Sequence, residues 1–180
     1  WRIIAPDLRG HGESTRYYAS GAYGRELTDD LFAMMDHLGV RRAHIAGYSL
    51  GEAVALKALC LRPDRFHSGI LCAAGWRPAT SHMRADLEEV ARTIEAPHAE
   101  GGLRSKLLGR DIDLQTKFAA FMLEVIDLWN DKPAMAALMR GLPGLMVTAE
   151  ELRRTSVPTL GLCGDQDTLY PDARRVQALK

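Results

Sequence analysis

The sequence predicts an α/β fold: a mostly parallel sheet with flanking helices and a helical insertion. Three features predict it. Short apolar runs suited to strands alternate with amphipathic helical stretches as far as residue 76, and such alternation sets consecutive strands side by side in parallel. From Arg77 to about Thr155 the alternation stops and only helical patterns remain. At Thr159–Cys163 an apolar strand returns. The expected organisation is a first core part over 1–76, a helical cap over 77–155 and a second core part over 156–180.

Taken in order, Arg2–Ala5 reads as a strand, followed by a loop at Gly10–Gly12 and an irregular polar stretch to Gly24. Over Glu26–Leu38 an apolar stripe of Leu27, Leu31, Met34, Met35 and Leu38 predicts a helix covering a sheet. Asp29 and Asp30 lie in its early turns and Gly39 stands at its C-terminal cap. Ala43–Ala46 suits a buried strand, and Glu52–Leu61 suits a helix ended by Pro63. Ser68–Ala74 reads as another buried strand, ending at Gly75-Trp76. In the cap, Met83, Leu87, Val90 and Ile94 share one helical face. Leu114, Phe118, Phe121, Met122, Val125 and Trp129 share a longer one. Breaks at Pro97, Gly101-Gly102, Pro133, Gly141 and Pro143-Gly144 divide the cap into short helices, and Thr148-x-x-Glu151 spells a capping box for the last.

Composition excludes several classes of function. The 180 residues are 47% hydrophobic and 26% charged, as in an ordinary globular domain. Lys+Arg and Asp+Glu both number 23, so no overall field favours nucleic acid or an anionic membrane. No apolar stretch approaches the roughly 20 residues needed to cross a bilayer. The start of the chain has no charged-then-apolar leader pattern, leaving a cytoplasmic location as the default expectation. The three cysteines, Cys60, Cys72 and Cys163, form no C-x-x-C pair and read as small buried hydrophobes in a reducing compartment. The six histidines (11, 37, 44, 67, 82 and 98) are scattered singly, so no metal site is expected.

The chemistry is concentrated in Gly47-Tyr48-Ser49-Leu50-Gly51, between the strand and the helix. The pattern G-x-S-x-G forces its serine into a strained strand-to-helix turn, so the residues two positions either side must be small enough for the turn to close. Gly47 and Gly51 meet that need. Such a turn lifts the Ser49 hydroxyl above the sheet and puts the helix N-terminus and the Leu50 backbone N–H where an oxyanion would form. Glu52, next in sequence, sets a carboxylate at the start of the helix, where it favours the helix dipole.

Upstream, Asp7-Leu8-Arg9-Gly10-His11-Gly12-Glu13-Ser14 follows the first apolar run. Downstream, Val157–Gly164 runs into Asp165-Gln166-Asp167. The D-x-R-G-H-G-x-S string, the strand-to-helix elbow at Gly47–Gly51 and this last strand and turn, in this order, resemble the α/β-hydrolase superfamily. The resembled branch is that of the small serine hydrolases, which includes esterases, lactonases and cofactor-free haloperoxidases. The resemblance implies Ser49 as nucleophile and Asp167 as triad acid, with Asp165 as the fallback. It makes His11 a structural loop residue and implies no cofactor. Its cap covers the serine and shapes an acyl pocket, which the apolar helical faces here fit to a small, apolar acyl substrate.

Two parts of the resembled machinery are not found. Its chain order is Ser, Asp or Glu, then His, yet the last histidine is His98. His82 and His98 fall in the cap, and His44 reads as a satisfied core or edge histidine. The second oxyanion donor comes from a loop that would precede Trp1. In the resembled fold, moreover, one further strand lies between the strand at Arg2–Ala5 and the elbow strand. The expectation is an internal fragment of a longer hydrolase, lacking N-terminal strands and the histidine segment, and inactive in isolation. The expected activity is hydrolysis of a carboxylic ester or lactone through an acyl-enzyme. Acyl transfer, C–C cleavage and perhydrolysis use the same parts, and a non-catalytic ligand-binding module on the same fold is the alternative of another class. A serine at the elbow argues against haloalkane dehalogenase and epoxide hydrolase chemistry, whose covalent intermediates use a carboxylate.

Overall fold

The computed structural model describes residues 1–73, 75–76, 80–95, 131–165, 174 and 176. Its elements run α1 (Arg25–His37), β1 (Ala43–Tyr48), α2 (Leu50–Leu61), β2 (Phe66–Cys72), α3 (Ser81–Glu95), α4 (Lys132–Gly141), α5 (Ala149–Arg154) and β3 (Thr159–Leu162). The chain divides into two compact units, one of residues 24–80 and 143–180, the other of residues 1–23 and 81–142.

In the first unit the strands form a three-stranded parallel sheet in the order β1-β2-β3. The register sets Ile45 beside Gly69, Tyr48 beside Cys72, and Cys72 beside Leu162. Helix α2 is the crossover between β1 and β2, as parallel pairing requires. One face of the sheet carries the core, in which Phe32 and Met35 of α1 meet Ala55, Leu56 and Leu59 of α2, Phe66 and Leu71 of β2, and Val147, Leu152 and Val157. On the other face Tyr48, Leu160 and Leu162 are exposed. β1 is therefore covered on one side only among the described residues, and it alternates where the sequence suggested burial throughout.

Helix α1 ends as its sequence predicts. Gly39 takes φ +66, its N–H bonds to Asp36 O at 3.1 Å and the Val40 N–H bonds to Met35 O at 2.8 Å, the pair that closes a Schellman cap. Its buried face is shifted from the predicted stripe, since Phe32 and Thr28 are buried with Leu27 and Met35. Thr28 tolerates burial because its hydroxyl donates to Arg25 O at 2.6 Å. The Thr148 capping box forms in full. Segment 146–155 is tied to α2 by the Lys57 ammonium, which donates to Met146 O at 3.1 Å and to Glu151 at 3.2 Å. The Thr155 hydroxyl donates at 3.0 Å to Leu59 O, one of the carbonyls the end of a helix leaves without a partner.

In the second unit α3 and α4 pack through Ala91, Ile94 and Ala136, and Arg140 of α4 bonds to both Glu88 and Glu95 of α3. The glycine loop is tied to itself. Asp7 accepts from the Glu13 N–H at 3.1 Å, the Ser14 hydroxyl donates to Asp7 O at 2.7 Å, and the His11 ring lies 3.3 Å from Arg9 O. Arg2–Ala5 does not form the expected strand, and Trp1 and Ile3 are exposed. An extended segment gains little without a ladder partner, and none of the described strands pairs with it. The Leu114–Trp129 stripe and the breaks at Pro97 and Gly101-Gly102 lie outside the described residues.

Candidate active site

Ser49 stands between the end of β1 and the first turn of α2, at φ 52 and ψ −113. A residue with a side chain pays about 1–3 kcal/mol for such a conformation, which persists only where its surroundings over-determine it. Here they do. The Ser49 N–H donates to Cys72 O at the end of β2 at 3.0 Å, and Ser49 O accepts from the N–H groups of Glu52 at 3.0 Å and Ala53 at 3.3 Å. Cys72 is followed by Ala73, also at positive φ, whose N–H donates to Leu162 O at 2.9 Å. The ends of all three strands are thus laced together at the level of the serine.

The two elbow glycines are required unequally. A Cβ built on Gly47 would lie 2.1 Å from Gly51 O and 2.6 Å from Glu52 N, so no side chain fits there. At Gly51 a Cβ meets nothing within 4 Å, so space among the described residues does not explain that glycine.

Ser49 is exposed, and although it occupies the N-cap of α2 its hydroxyl makes no capping bond. Leu50 opens the helix, where the first N–H groups have no intrahelical acceptor and the positive end of the macrodipole favours an anion. A tetrahedral oxyanion formed on Ser49 would meet the donor and the field it needs. Asp165 is exposed in the turn after β3. Asp167 lies outside the described residues.

His44 is an exposed residue of β1, its Nδ1 2.7 Å from the Ser68 hydroxyl and its ring 5.3 Å from that of His67. It precedes Ser49 by about 16 Å of strand and is not placed to serve it. Among the described residues no three His, Cys, Asp or Glu side chains gather as metal ligands. A depression of about 480 Å³ lined by Asp36, Val40, Arg41, Arg42, Asp64 and Arg65 adjoins the start of β1. That is the wrong end for a site in a parallel sheet, where ligands bind beyond the carboxyl ends of the strands.

One residue stands differently from its sequence reading. Glu52 is only 2% exposed, and its Oε1 is buried without a hydrogen-bond partner among the described residues. Burial raises its carboxyl from 4.5 to about 7. It therefore does not act as a surface charge on the helix dipole. The signal for this was present in the neighbouring Val54, Ala55, Leu56, Ala58 and Leu59, which mark a helix buried on most sides.

Residues 1–107 match the alpha/beta hydrolase fold family, and the chain belongs to that family. Among curated relatives, the dihydrolipoyllysine-residue acetyltransferase component of an acetoin cleaving system from Pseudomonas putida is 43% identical over 75 residues. That stretch is 41% of this chain and 20% of the relative. A Caulobacter vibrioides protein assigned as a carbamate hydrolase, RutD, is 30% identical over 84 residues, 47% of this chain and 31% of its own. The enol-lactonase of Burkholderia xenovorans superposes with a TM-score of 0.74 at 22% identity over 96% of this chain and 66% of that structure. The matched stretches thus span a fifth to a third of these curated relatives and just under two thirds of the solved structure.

Proposed function

We propose that this chain is the nucleophile-bearing part of a serine hydrolase acting on a carboxylic ester or lactone through an acyl-enzyme on Ser49. The observation that carries this reading is the strained Ser49 backbone, held by the bond to Cys72 O while the hydroxyl is left out of the helix cap. A serine that served only to start a helix would cap it in the extended region, as Thr148 does at φ −78 and ψ 159.

In the proposed reaction the Ser49 Oγ attacks the carbonyl carbon while a histidine base takes its proton. The oxyanion that forms is held by the Leu50 N–H and a second donor. Collapse breaks the bond to the alcohol, which leaves with the proton from the histidine, and water then releases the acid by the same route in reverse. Asp167 orients the histidine, which in this reading lies outside the 180 residues, as does the second oxyanion donor. The cap at 77–155 shapes a pocket for a small, apolar acyl group, and no cofactor takes part. The names of the carbamate hydrolase and enol-lactonase relatives support chemistry at a carbonyl. The serine supports an acyl ester as intermediate, in place of the alkyl ester that a carboxylate nucleophile forms.

The test is hydrolysis of p-nitrophenyl esters of increasing chain length by the full-length protein and its Ser49→Ala variant. Turnover by the wild type and a loss on the order of a millionfold in the variant are expected. Equal background rates in both would remove the hydrolase reading and leave a ligand-binding module on the same fold.

A further inference from the structure

Two helices of this chain begin with the same spelling, Ser49-Leu50-Gly51-Glu52 and Thr148-Ala149-Glu150-Glu151. The pattern S/T-x-x-E ordinarily closes into a reciprocal box, with hydroxyl to the N3 N–H and carboxylate to the N-cap N–H. At α5 both arms are made: the Glu151 N–H donates to Thr148 Oγ1 at 3.1 Å, and the Thr148 N–H donates to Glu151 Oε2 at 2.6 Å. At α2 the serine makes no capping bond. Its N–H is committed to Cys72 O, and the Glu52 carboxyl is buried with Oε1 unpartnered among the described residues.

We propose that the elbow holds a latent capping box governed by Glu52, open with Ser49 available while the Glu52 carboxyl is uncharged, and closed over Ser49 when it is ionised. Glu52 is then a positioning residue that acts through the serine.

The physical argument is one of competition. An uncharged carboxyl tolerates burial on the helix face it shares with Ala55, Leu56 and Leu59, whereas a buried carboxylate without a donor does not. The donors one turn away are the N–H groups at the start of its own helix, at the positive end of the dipole. Charge-assisted bonds to them are about twice as strong as neutral ones. Closure gives up two bonds, Ser49 N–H to Cys72 O and Glu52 N–H to Ser49 O, and returns Ser49 from φ 52 to the extended region that Thr148 occupies, which releases its strain and places its hydroxyl on the Glu52 N–H. The proton lost by Glu52 passes to solvent.

Packed against α2 are α1, β1, β2, α5 and the turn at Pro63–Arg65, whose Arg65 is committed to Asp36 and to Arg41 O. Among the described residues burial is the cause of the Glu52 shift to about 7. The one cation of α2, Lys57, is committed to Met146 O and Glu151. The switch therefore lies near neutral pH, and reactive serine is lost as pH rises.

The inference rests on the proposed function only in treating Ser49 as a nucleophile, so its test has a readout free of that assumption. Backbone ¹H–¹⁵N resonances of Ser49 and Glu52 are followed from pH 5.5 to 8.5 in the full-length protein and in Glu52→Gln. In parallel, the rate of fluorophosphonate labelling of Ser49 is measured. The wild-type elbow amides should titrate together with a midpoint below the value of about 7 set by burial alone, since closure favours the ionised form, and those of Glu52→Gln should not. The wild-type labelling rate relative to Glu52→Gln should fall at least about tenfold from pH 6 to pH 8, as the neutral fraction falls.

Elbow amides that titrate identically in both proteins, or a labelling ratio that stays flat, would overturn the proposal. Should Glu52→Gln not fold, the wild type decides alone: Ser49 amides that do not follow the Glu52 carboxyl ¹³C resonance overturn it. If neither protein labels, the hydrolase reading fails and the amide titration still decides the box.

Discussion

Replacing Gly47 by alanine puts a methyl carbon 2.1 Å from the Gly51 carbonyl oxygen, 2.3 Å from its carbon and 2.6 Å from Glu52 N. Ordinary contact begins at 3.4 Å, and every neighbour is backbone of the first turn of α2, so no rotamer relieves the overlap. The turn must open by about 1 Å. Overpacking of this kind typically costs 1–3 kcal/mol, and a backbone clash belongs at the upper end, about 3 kcal/mol. The same displacement moves the Leu50 N–H and the Ser49 hydroxyl apart, and a misplacement of about 1 Å slows a reaction roughly 100-fold. Gly51→Ala is the control. Its Cβ meets nothing among the described residues, and alanine is favoured over glycine in a helix by up to about 1 kcal/mol. Urea denaturation at pH 7 and fluorophosphonate labelling of both variants measure the two effects. The reasoning fails if Gly47→Ala keeps wild-type stability and labelling rate, or if Gly51→Ala is equally damaging.

Two further outcomes follow from the first unit. The Glu52 carboxyl ionises near 4.5 when unfolded and near 7 when folded, so the fold loses stability as pH rises between those values. Glu52→Gln removes that dependence. Denaturation at pH 4 and pH 8 should find the variant gaining about 3 kcal/mol on the wild type between the two, and a constant difference would contradict the burial of Glu52. Lys57→Met keeps most of the buried stem and deletes the bonds to Met146 O and Glu151. A loss of about 1–3 kcal/mol is expected, and hydrogen exchange should find the amides of 146–152 less protected. Unchanged exchange there would mean that the ammonium does not hold the segment.

Much of the fold was legible because it is written locally. The patterns over 26–38, 43–46, 52–61 and 68–74 gave their elements to within about two residues, and Gly39 and Thr148-x-x-Glu151 marked a helix end and a helix start that form as read. What failed depended on partners that sequence spacing does not name. Arg2–Ala5 has the composition of a strand but no described ladder partner, and β1 reads as buried although only one of its faces is covered among the described residues. Phe32 lay outside the predicted stripe because its place is set by Phe66, whose ring centroid is 6.3 Å away, and by the Arg62 guanidinium 5.4 Å over its ring. At the candidate site, G-x-S-x-G gave Ser49, Leu50 and Gly47 their geometry directly. Glu52, expected at the helix dipole, is buried instead: its place at the helix start marks it for the dipole, and only the apolar residues that follow it on α2 mark the helix as covered on most sides.

The most direct measurement is fluorophosphonate labelling of the full-length protein with the modified residue located by mass spectrometry, beside Ser49→Ala, Asp165→Asn and Asp167→Asn. The account predicts a single adduct on the peptide containing Ser49, none in Ser49→Ala, labelling slowed by as much as about 10⁴-fold in Asp167→Asn, and little change in Asp165→Asn. A folded wild type that stays unlabelled, or an adduct on another residue, would contradict Ser49 as the nucleophile.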